Sequence, residues 1–258
     1  DMKAMGVYIS RNISFNDGTE KGRVEYDRIE HTLTEDQTAQ WNRMSEAWLG
    51  AMENMNEALK ETGADGRARG SAEGAFWFAN QRFWNQIITA MQTPAMMNQI
   101  EKDLQDGKSV IVQLTNTNAA PLKRALAGMA KEDSLDSVDV SPKQILIDYV
   151  ESSFPVMEYE EYEDEHGNTK IRIATDANGK PIKNAAAESL REELLDDLGS
   201  IQIGGESPID SLIARFGVDM VAEVTGRSER LVKGPDGKAR REKRTKTAKK
   251  ADIQAFQN

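Results

Sequence analysis

Apolar residues recur at two different periods along this chain, and the switches between them outline its elements. In "GVYISRNISF" (residues 6–15) β-formers alternate with polar residues. In "GRVEYDRIEHTL" Val24, Tyr26, Ile29 and Leu33 stand among charges, and both stretches read as extended. The period changes at Thr34. Trp41, Met44, Trp48, Met52, Met55 and Leu59 follow at spacings of three and four, the stripe of an amphipathic helix. Thr34 is the predicted N-cap, and Gln37 three residues on completes a capping box. The Gly-rich run from Thr62 to Gly70 ends that helix. A second helical pattern starts at Ser71 and carries Phe76, Trp77, Phe83, Trp84, Ile87, Ile88 and Met91. Pro94 is expected to break or restart it, and Gly107 to stop it.

Beyond Gly107 the apolar runs shorten. Val110 to Leu114 is a brief stretch of β-formers, which reads as a buried parallel strand. Thr115-Asn116-Thr117-Asn118 leaves it for a helix, the first half of a β-α-β unit. Residues 131–142 read as loop and 143–154 as helix. Residues 156–182 form an alternating acidic hairpin with a His166-Gly167-Asn168 turn, inserted on the core. Asn184 to Leu198 is helical. Ser207 as N-cap, Pro208 at the first helical position and Gly217 as stop bracket another helix. "VDMVAEVTG" (218–226) reads as a second short strand, Pro235-Asp236-Gly237 as the turn of a basic hairpin, and the last residues as a closing helix. No internal repeat is visible. The expected fold is α/β. A small, mostly parallel sheet includes 109–114 and 218–224, with a helical extension over about 34–106. Two parts follow: strands and long helices over 1–106, and a domain over 107–258 with an insertion at about 131–200.

Composition narrows the class. Apolar residues make up 38% of the 258 positions and charged residues 29%, which supports a folded chain with generous polar surface. No run approaches a membrane-spanning length, and the first residues lack a basic-then-apolar signal. Cysteine is absent, so disulfides and thiolate metal sites are excluded, in keeping with an expected cytoplasmic setting. Net charge is −10, so any polyanion contact must be local. The charge is segregated: Glu151 to Glu165 holds seven acids and no base, whereas Arg227 to Lys250 holds eleven Lys or Arg against three acids.

Candidate chemistry is sparse. His31 and His166 are the only histidines, and neither has an acid cluster at metal-ligand spacing; both read as surface residues. No G-x-S-x-G elbow, G-x-x-x-x-G-K-[ST] loop or G-x-G-x-x-G turn occurs, and "GADGRARG" (63–70) follows a helix rather than a strand. Consecutive acids at 158–165 alternate between two faces of a strand, as on a solvated hairpin. The rings of "FWFANQRFW" (76–84) read as core packing, or as a platform for stacked bases, with Gln81 and Arg82 as polar exceptions. Two polar strand exits remain, Thr115-Asn116-Thr117 and Thr225-Gly226-Arg227. Hydroxyls, amides and free N–H groups there suit phosphate oxygens, and simple capping accounts for them equally well.

The order of these pieces resembles the second RecA-like domain of a superfamily 2 helicase. More closely, "MKAMGVYISRNISF", "FWFANQRFW", "GKSVIVQLTNT", "SPIDSLIARFGVDMVAEVTGRSERLV" and "IQAFQN" resemble the Strawberry notch family of helicase-like ATPases, which includes helicase–methyltransferase proteins of phages and mobile elements that defend incoming DNA. The resemblance implies a partial RecA-like, P-loop NTPase-like C-terminal helicase domain. The phosphate-binding lysine and metal-binding acid would lie in a first RecA-like domain, and an arginine finger after "QAFQN". On that reading the chain is a fragment, ATP and Mg²⁺ belong to the full-length parent, no cofactor or metal is held here, and hydrolysis is not expected from these residues alone. The resemblance also implies phosphate contacts by Thr115, Asn116 and Thr117 at one loop and by Thr225, Gly226 and Arg227 at another. Charge alone adds Lys233, Lys238, Arg240, Arg241, Lys243 and Arg244 of the basic hairpin.

Two functions follow. The first is the nucleic-acid-binding half of an ATP-dependent DNA motor, docked on the first RecA-like domain of the same parent. The alternative is a protein–protein interaction module, with the basic hairpin engaging acidic surface, including that of a second copy. A stand-alone enzyme is disfavoured, because no paired acid/base or nucleophile constellation occurs.

Overall fold

The computed structural model describes residues 25–114, 122–123, 126–127, 135, 141–200, 207–233 and 238–257. The chain divides into two compact units, 1–31 and 32–258. In the first, the described residues 25–31 carry no regular secondary structure. The helices and strands of the described residues all lie in the second.

Helix α1 spans Glu35–Glu61 and begins as its capping box requires. The Gln37 N–H donates to Thr34 Oγ1 at 3.2 Å and the Thr34 N–H to Gln37 Oε1 at 3.0 Å. Its buried stripe is Met44, Trp48, Ala51, Met55, Ala58 and Leu59. The chain turns at Thr62 and Gly63, where φ of +66° suits glycine. Helix α2 then runs from Gly66 to Gln105, starting five residues earlier than the periodicity predicts. It also passes through Pro94, which corrects the expected break. Proline removes one helical hydrogen bond. Here buried residues on both sides of it, Phe83, Ile87, Met91 and Ile100, hold the two halves in one element. The Gln37 side-chain amide also donates to the Met91 carbonyl at 3.2 Å, beside the interrupted turn.

Helices α3 (Pro142–Ser153) and α4 (Ala185–Ser200) complete the helical layer. Helix α3 packs on α2, and α4 on α1 and α3. The centre is aromatic: Trp48 meets Phe76 and Phe83 edge-on at 5.4 and 5.3 Å between ring centroids, and Phe76 meets Tyr149 at 5.6 Å. Phe76 and Phe83 are therefore core residues, while Trp77 and Phe78 are exposed, with Arg82 lying 5.6 Å from the Phe78 ring centre. Burial pushes the Tyr149 hydroxyl up, since the phenolate would be desolvated.

Between α3 and α4 lies the expected acidic excursion. Strands β1 (Tyr159–Glu163) and β2 (Thr169–Ile173) pair antiparallel, with Glu160 opposite Arg172 and joined to it at 2.7 Å. Two Asp-x-x-Gly turns shape it. Asp164 accepts the N–H groups of His166 and Asn168, and Asp176 those of Asn178 and Lys180, with Gly167 and Gly179 at positive φ. The root is closed by the Asn184 N–H donating to the Val156 carbonyl at 2.8 Å, and is fixed to the end of α1 by the Tyr159 N–H donating to the Thr62 carbonyl at 2.9 Å.

Helix α5 (Pro208–Phe216) has Ser207 before Pro208 and ends at Gly217, φ +86°, as its punctuation predicts. It packs on α2, with Arg215 paired to Glu101 at 2.6 Å. Strands β3 (Glu229–Lys233) and β4 (Ala239–Lys243) pair antiparallel, and α6 spans Lys246–Gln257. Among the described residues all strand pairing is antiparallel, in two hairpins, so the parallel sheet expected over 109–114 and 218–224 is not what these residues form. Residues 108–114 carry no regular structure, and Ile111 is 83% exposed. A parallel strand depends on distant partners to satisfy its N–H and C=O groups, and a local apolar run cannot supply them. Residues 218–220 form a turn, and 221–224 leave Val224 exposed and Glu223 buried, the reverse of an apolar-inward strand. Of the helix expected after Asn118, residues 122–123 and 126–127 are helical, with Leu122 and Leu126 buried.

Candidate nucleic-acid interface

The segment from Val221 to Arg244 leaves the turn after α5, forms the β3–β4 hairpin and enters α6. Its organising group is a carboxylate. Glu223 is buried, and its two oxygens accept a fork from Arg227, Nε at 2.9 Å and Nη2 at 3.1 Å. Arg227 Nη1 reaches back to Asp210 of α5 at 2.7 Å. The Thr225 hydroxyl donates to Glu223 at 2.6 Å and accepts the Arg227 N–H at 3.2 Å, which folds the loop tightly around the pair. Arg230 of β3 forks onto Glu242 of β4 at 3.0 and 3.1 Å and approaches Glu223 at 3.6 Å. Arg244 Nη2 donates to the Glu223 carbonyl at 2.7 Å, and Lys249 Nζ of α6 to the Thr225 carbonyl at 2.6 Å.

The electrostatics follow from burial and pairing together. Burial alone would raise Glu223, but hydrogen bonds from Arg227 and Thr225 reverse it and hold the carboxyl below its usual range. Burial alone would lower Arg227, but Glu223 and Asp210 hold it above the usual guanidinium value. Asp210 goes the other way. Its desolvation outweighs the Arg227 attraction, and its carboxyl is pushed up.

The predicted site residues fall into distinct settings. Thr115, Asn116 and Thr117 lie outside the described residues. Thr225 and Arg227 are turned inward, into the ion cluster, and Gly226 is exposed between them. Arg244 is buried. Arg241 is exposed and donates from Nη2 to both Glu229 carboxylate oxygens at 2.7 Å. Lys238, Arg240 and Lys243 are exposed along β4 and its approach, and Lys233 contributes backbone pairing opposite Ala239, its side chain lying outside the described residues. Sequence reasoning misses Asp210, Glu223, Arg230, Glu242 and Lys249. One signal exists for the strand pair: the Pro235-Asp236-Gly237 sequence predicts a hairpin, and in the observed register Arg230 stands opposite Glu242. Among the described residues no group of three His, Asp or Glu side chains could hold a metal, and no helix is long and apolar enough to cross a membrane.

No family model matches the chain, and no solved structure matches it. Curated proteins do match. The similarity is to Strawberry notch proteins. Protein strawberry notch homolog 1 of Gallus gallus is 28% identical over 155 residues, covering 60% of this chain and 12% of its own length. The protein of the same name from Rattus norvegicus is 26% identical over 209 residues, covering 81% of this chain and 16% of its own length. Protein FORGETTER 1 of Arabidopsis thaliana is 26% identical over 161 residues, 62% of this chain and 12% of its own. The likeness to the Strawberry notch proteins is distant, and the chain spans 12–16% of the length of these relatives.

Proposed function

We propose that this chain is part of the C-terminal helicase-like region of a Strawberry notch-type ATP-dependent DNA helicase or translocase, in which it contributes contact to the nucleic-acid backbone. The similarity to Strawberry notch proteins supports the class. The single observation that carries the interface is the arrangement of charge on the β3–β4 hairpin. Its acids Glu229 and Glu242 are engaged by Arg241 and Arg230, while Lys238, Arg240 and Lys243 are exposed. A surface of this kind grips phosphates without reading sequence, and releases counterions as it does so. Handling of ATP and Mg²⁺ is proposed for the longer protein, and no step of nucleotide chemistry is assigned to these residues.

The test is binding of a fluorescent single-stranded oligonucleotide across a salt series. Each phosphate neutralised on a single strand contributes about −0.7 to the slope of log K against log salt. The Lys238→Ala/Arg240→Ala/Lys243→Ala variant is expected to bind more weakly, with a slope shallower by about 2. Equal affinity and slope for parent and variant would refute the interface. A second reading, a protein–protein module, draws on the exposed Trp77 and Phe78 of α2, at 57% and 62%. Self-association in light scattering without an oligonucleotide shift would favour it.

A further inference from the structure

We propose that Arg227 is a positioning residue: it sets the basic hairpin on α5 and does not itself touch the nucleic-acid strand. The inference rests on the hairpin being the phosphate-binding surface, and it changes which part of the segment acts in that role. Arg227 is 1% exposed, and its Nε, Nη1 and Nη2 all donate to carboxylates of this chain. A phosphate oxygen must come within about 3 Å of such a donor to replace a carboxylate. To offer one, the fork would have to leave Glu223 and Asp210 and move out of a buried cluster. A guanidinium held this way orients its neighbours and is closed to a ligand.

The elements gathered at Glu223 give the positioning its content. Asp210 belongs to α5, Thr225 to the loop, Arg230 to β3 and Glu242 to β4. Arg244 follows β4, and Lys249 lies in α6. The cluster brings together three carboxylates, three guanidiniums and the Lys249 ammonium, so its charges nearly offset one another while the exposed cations of β4 stand outside. A two-stranded hairpin is marginal in water by itself. Its direction relative to α5 and α6 is therefore fixed by this cluster, and Arg227 is the member that joins α5 to the loop. The chain order also fits: Arg227 stands two residues before β3, so a turn of the loop would carry the whole hairpin with it.

The experiment uses the full 258-residue chain and two readouts. The first is amide hydrogen exchange of residues 229–232 and 239–243, with α1 and α2 as internal controls. The second is the affinity for single-stranded oligothymidine and its salt slope. Arg227→Met is expected to lower hairpin protection at least tenfold and to weaken binding, with the salt slope at the parent value because the exposed cations are all retained. A slope shallower by about one phosphate contact, or hairpin protection equal to the parent's, would overturn the proposal. Asp210→Asn, which removes one carboxylate at the 30%-exposed rim, guards against a variant that fails to fold. It must loosen the same hairpin amides by a smaller factor, and unchanged protection there again overturns the inference. If the parent binds no oligonucleotide, the interface reading falls by itself, and hydrogen exchange alone still decides whether Arg227 positions the hairpin.

Discussion

Removing the Arg227 guanidinium should cost more than removing the pair to which it belongs. In Arg227→Met, Glu223 keeps the Thr225 hydroxyl at 2.6 Å and a distant Arg230 at 3.6 Å, and its side chain stays fully buried. Breaking a buried pair by removing one partner costs about 3–5 kcal/mol, and the remaining Arg230 contact favours the lower figure. Domains are stable by about 5–15 kcal/mol in total, so about a third of the fold's margin is at stake. At about 2–4 °C per kcal/mol for a chain of this size, the midpoint should fall by about 6–20 °C. The double variant Glu223→Leu/Arg227→Met removes both charges and their desolvation together. Replacing a whole buried pair by apolar groups is often close to neutral. Arg230 retains Glu242, and Asp210, whose carboxyl is already pushed up by burial, can take a proton once Arg227 is gone. The double variant should therefore recover most of the loss, with a coupling of about 2 kcal/mol or more. Urea denaturation followed by far-UV circular dichroism and by hairpin hydrogen exchange measures the four corners of the cycle. The pH dependence has a definite sign. Glu223 is held below its ordinary value of 4.5, so the pair's contribution is present above that pH and is lost as pH falls through the depressed value. The gap between parent and Arg227→Met should therefore close in acid. A coupling below about 0.5 kcal/mol, or a gap that stays constant as the parent's Glu223 takes up its proton in acid, would refute the reasoning.

Three further outcomes test other parts of the fold. Thr34→Ala removes the side-chain acceptor of the α1 capping box and should cost about 1 kcal/mol in chemical denaturation; no measurable loss would mean the cap contributes nothing. Phe83→Ala, at the fully buried centre against Trp48, should cost about 3–5 kcal/mol, whereas Phe78→Ala on the exposed side of α2 should stay within about 0.5 kcal/mol, so similar losses would contradict the assignment of core and surface rings. Asp164 should titrate at about 2 by carbon NMR, held down first by Lys170 and then by the turn's N–H groups. Its contribution to stability is present above its ordinary value of 3.8 and lost as pH falls toward about 2, and a midpoint at or above 3.8 would remove that account.

What the sequence reveals here depends on how far apart the deciding residues lie. The capping box of α1 sits within four residues, and the Ser207, Pro208 and Gly217 punctuation of α5 within eleven, so both are legible from residue order alone. The acidic hairpin is legible for the same reason: alternation and a turn residue specify a local pairing. Val110 to Leu114 is the opposite case. Five residues of buried-strand composition stand in a row, yet a strand is made by partners elsewhere, and among the described residues this run pairs with no other strand. Pro94 misleads because a proline rule is local and the packing that overrides it, from Phe83 to Ile100, is not.

The basic segment shows the same division at the level of single charges. Counting Lys and Arg locates the surface but cannot rank its members, because rank depends on where the few acids fall. In the β3–β4 register Glu242 stands opposite Arg230, and Glu229 takes Arg241. Glu223, earlier in the chain, draws Arg227 inward with help from Asp210, seventeen positions back. Glu223 and Glu242 turn Arg227 and Arg230 from surface into framework, while Lys238, Arg240, Arg241 and Lys243 stay exposed. Register therefore decides which cations this hairpin exposes. A slip of one residue would put Arg241, not Glu242, opposite Arg230, which would break the inner pair and expose a different set of cations. The buried cluster at the root penalises that slip. A hairpin this basic needs such a root: without it, like charges on β4 would repel, and no apolar core of its own would oppose them.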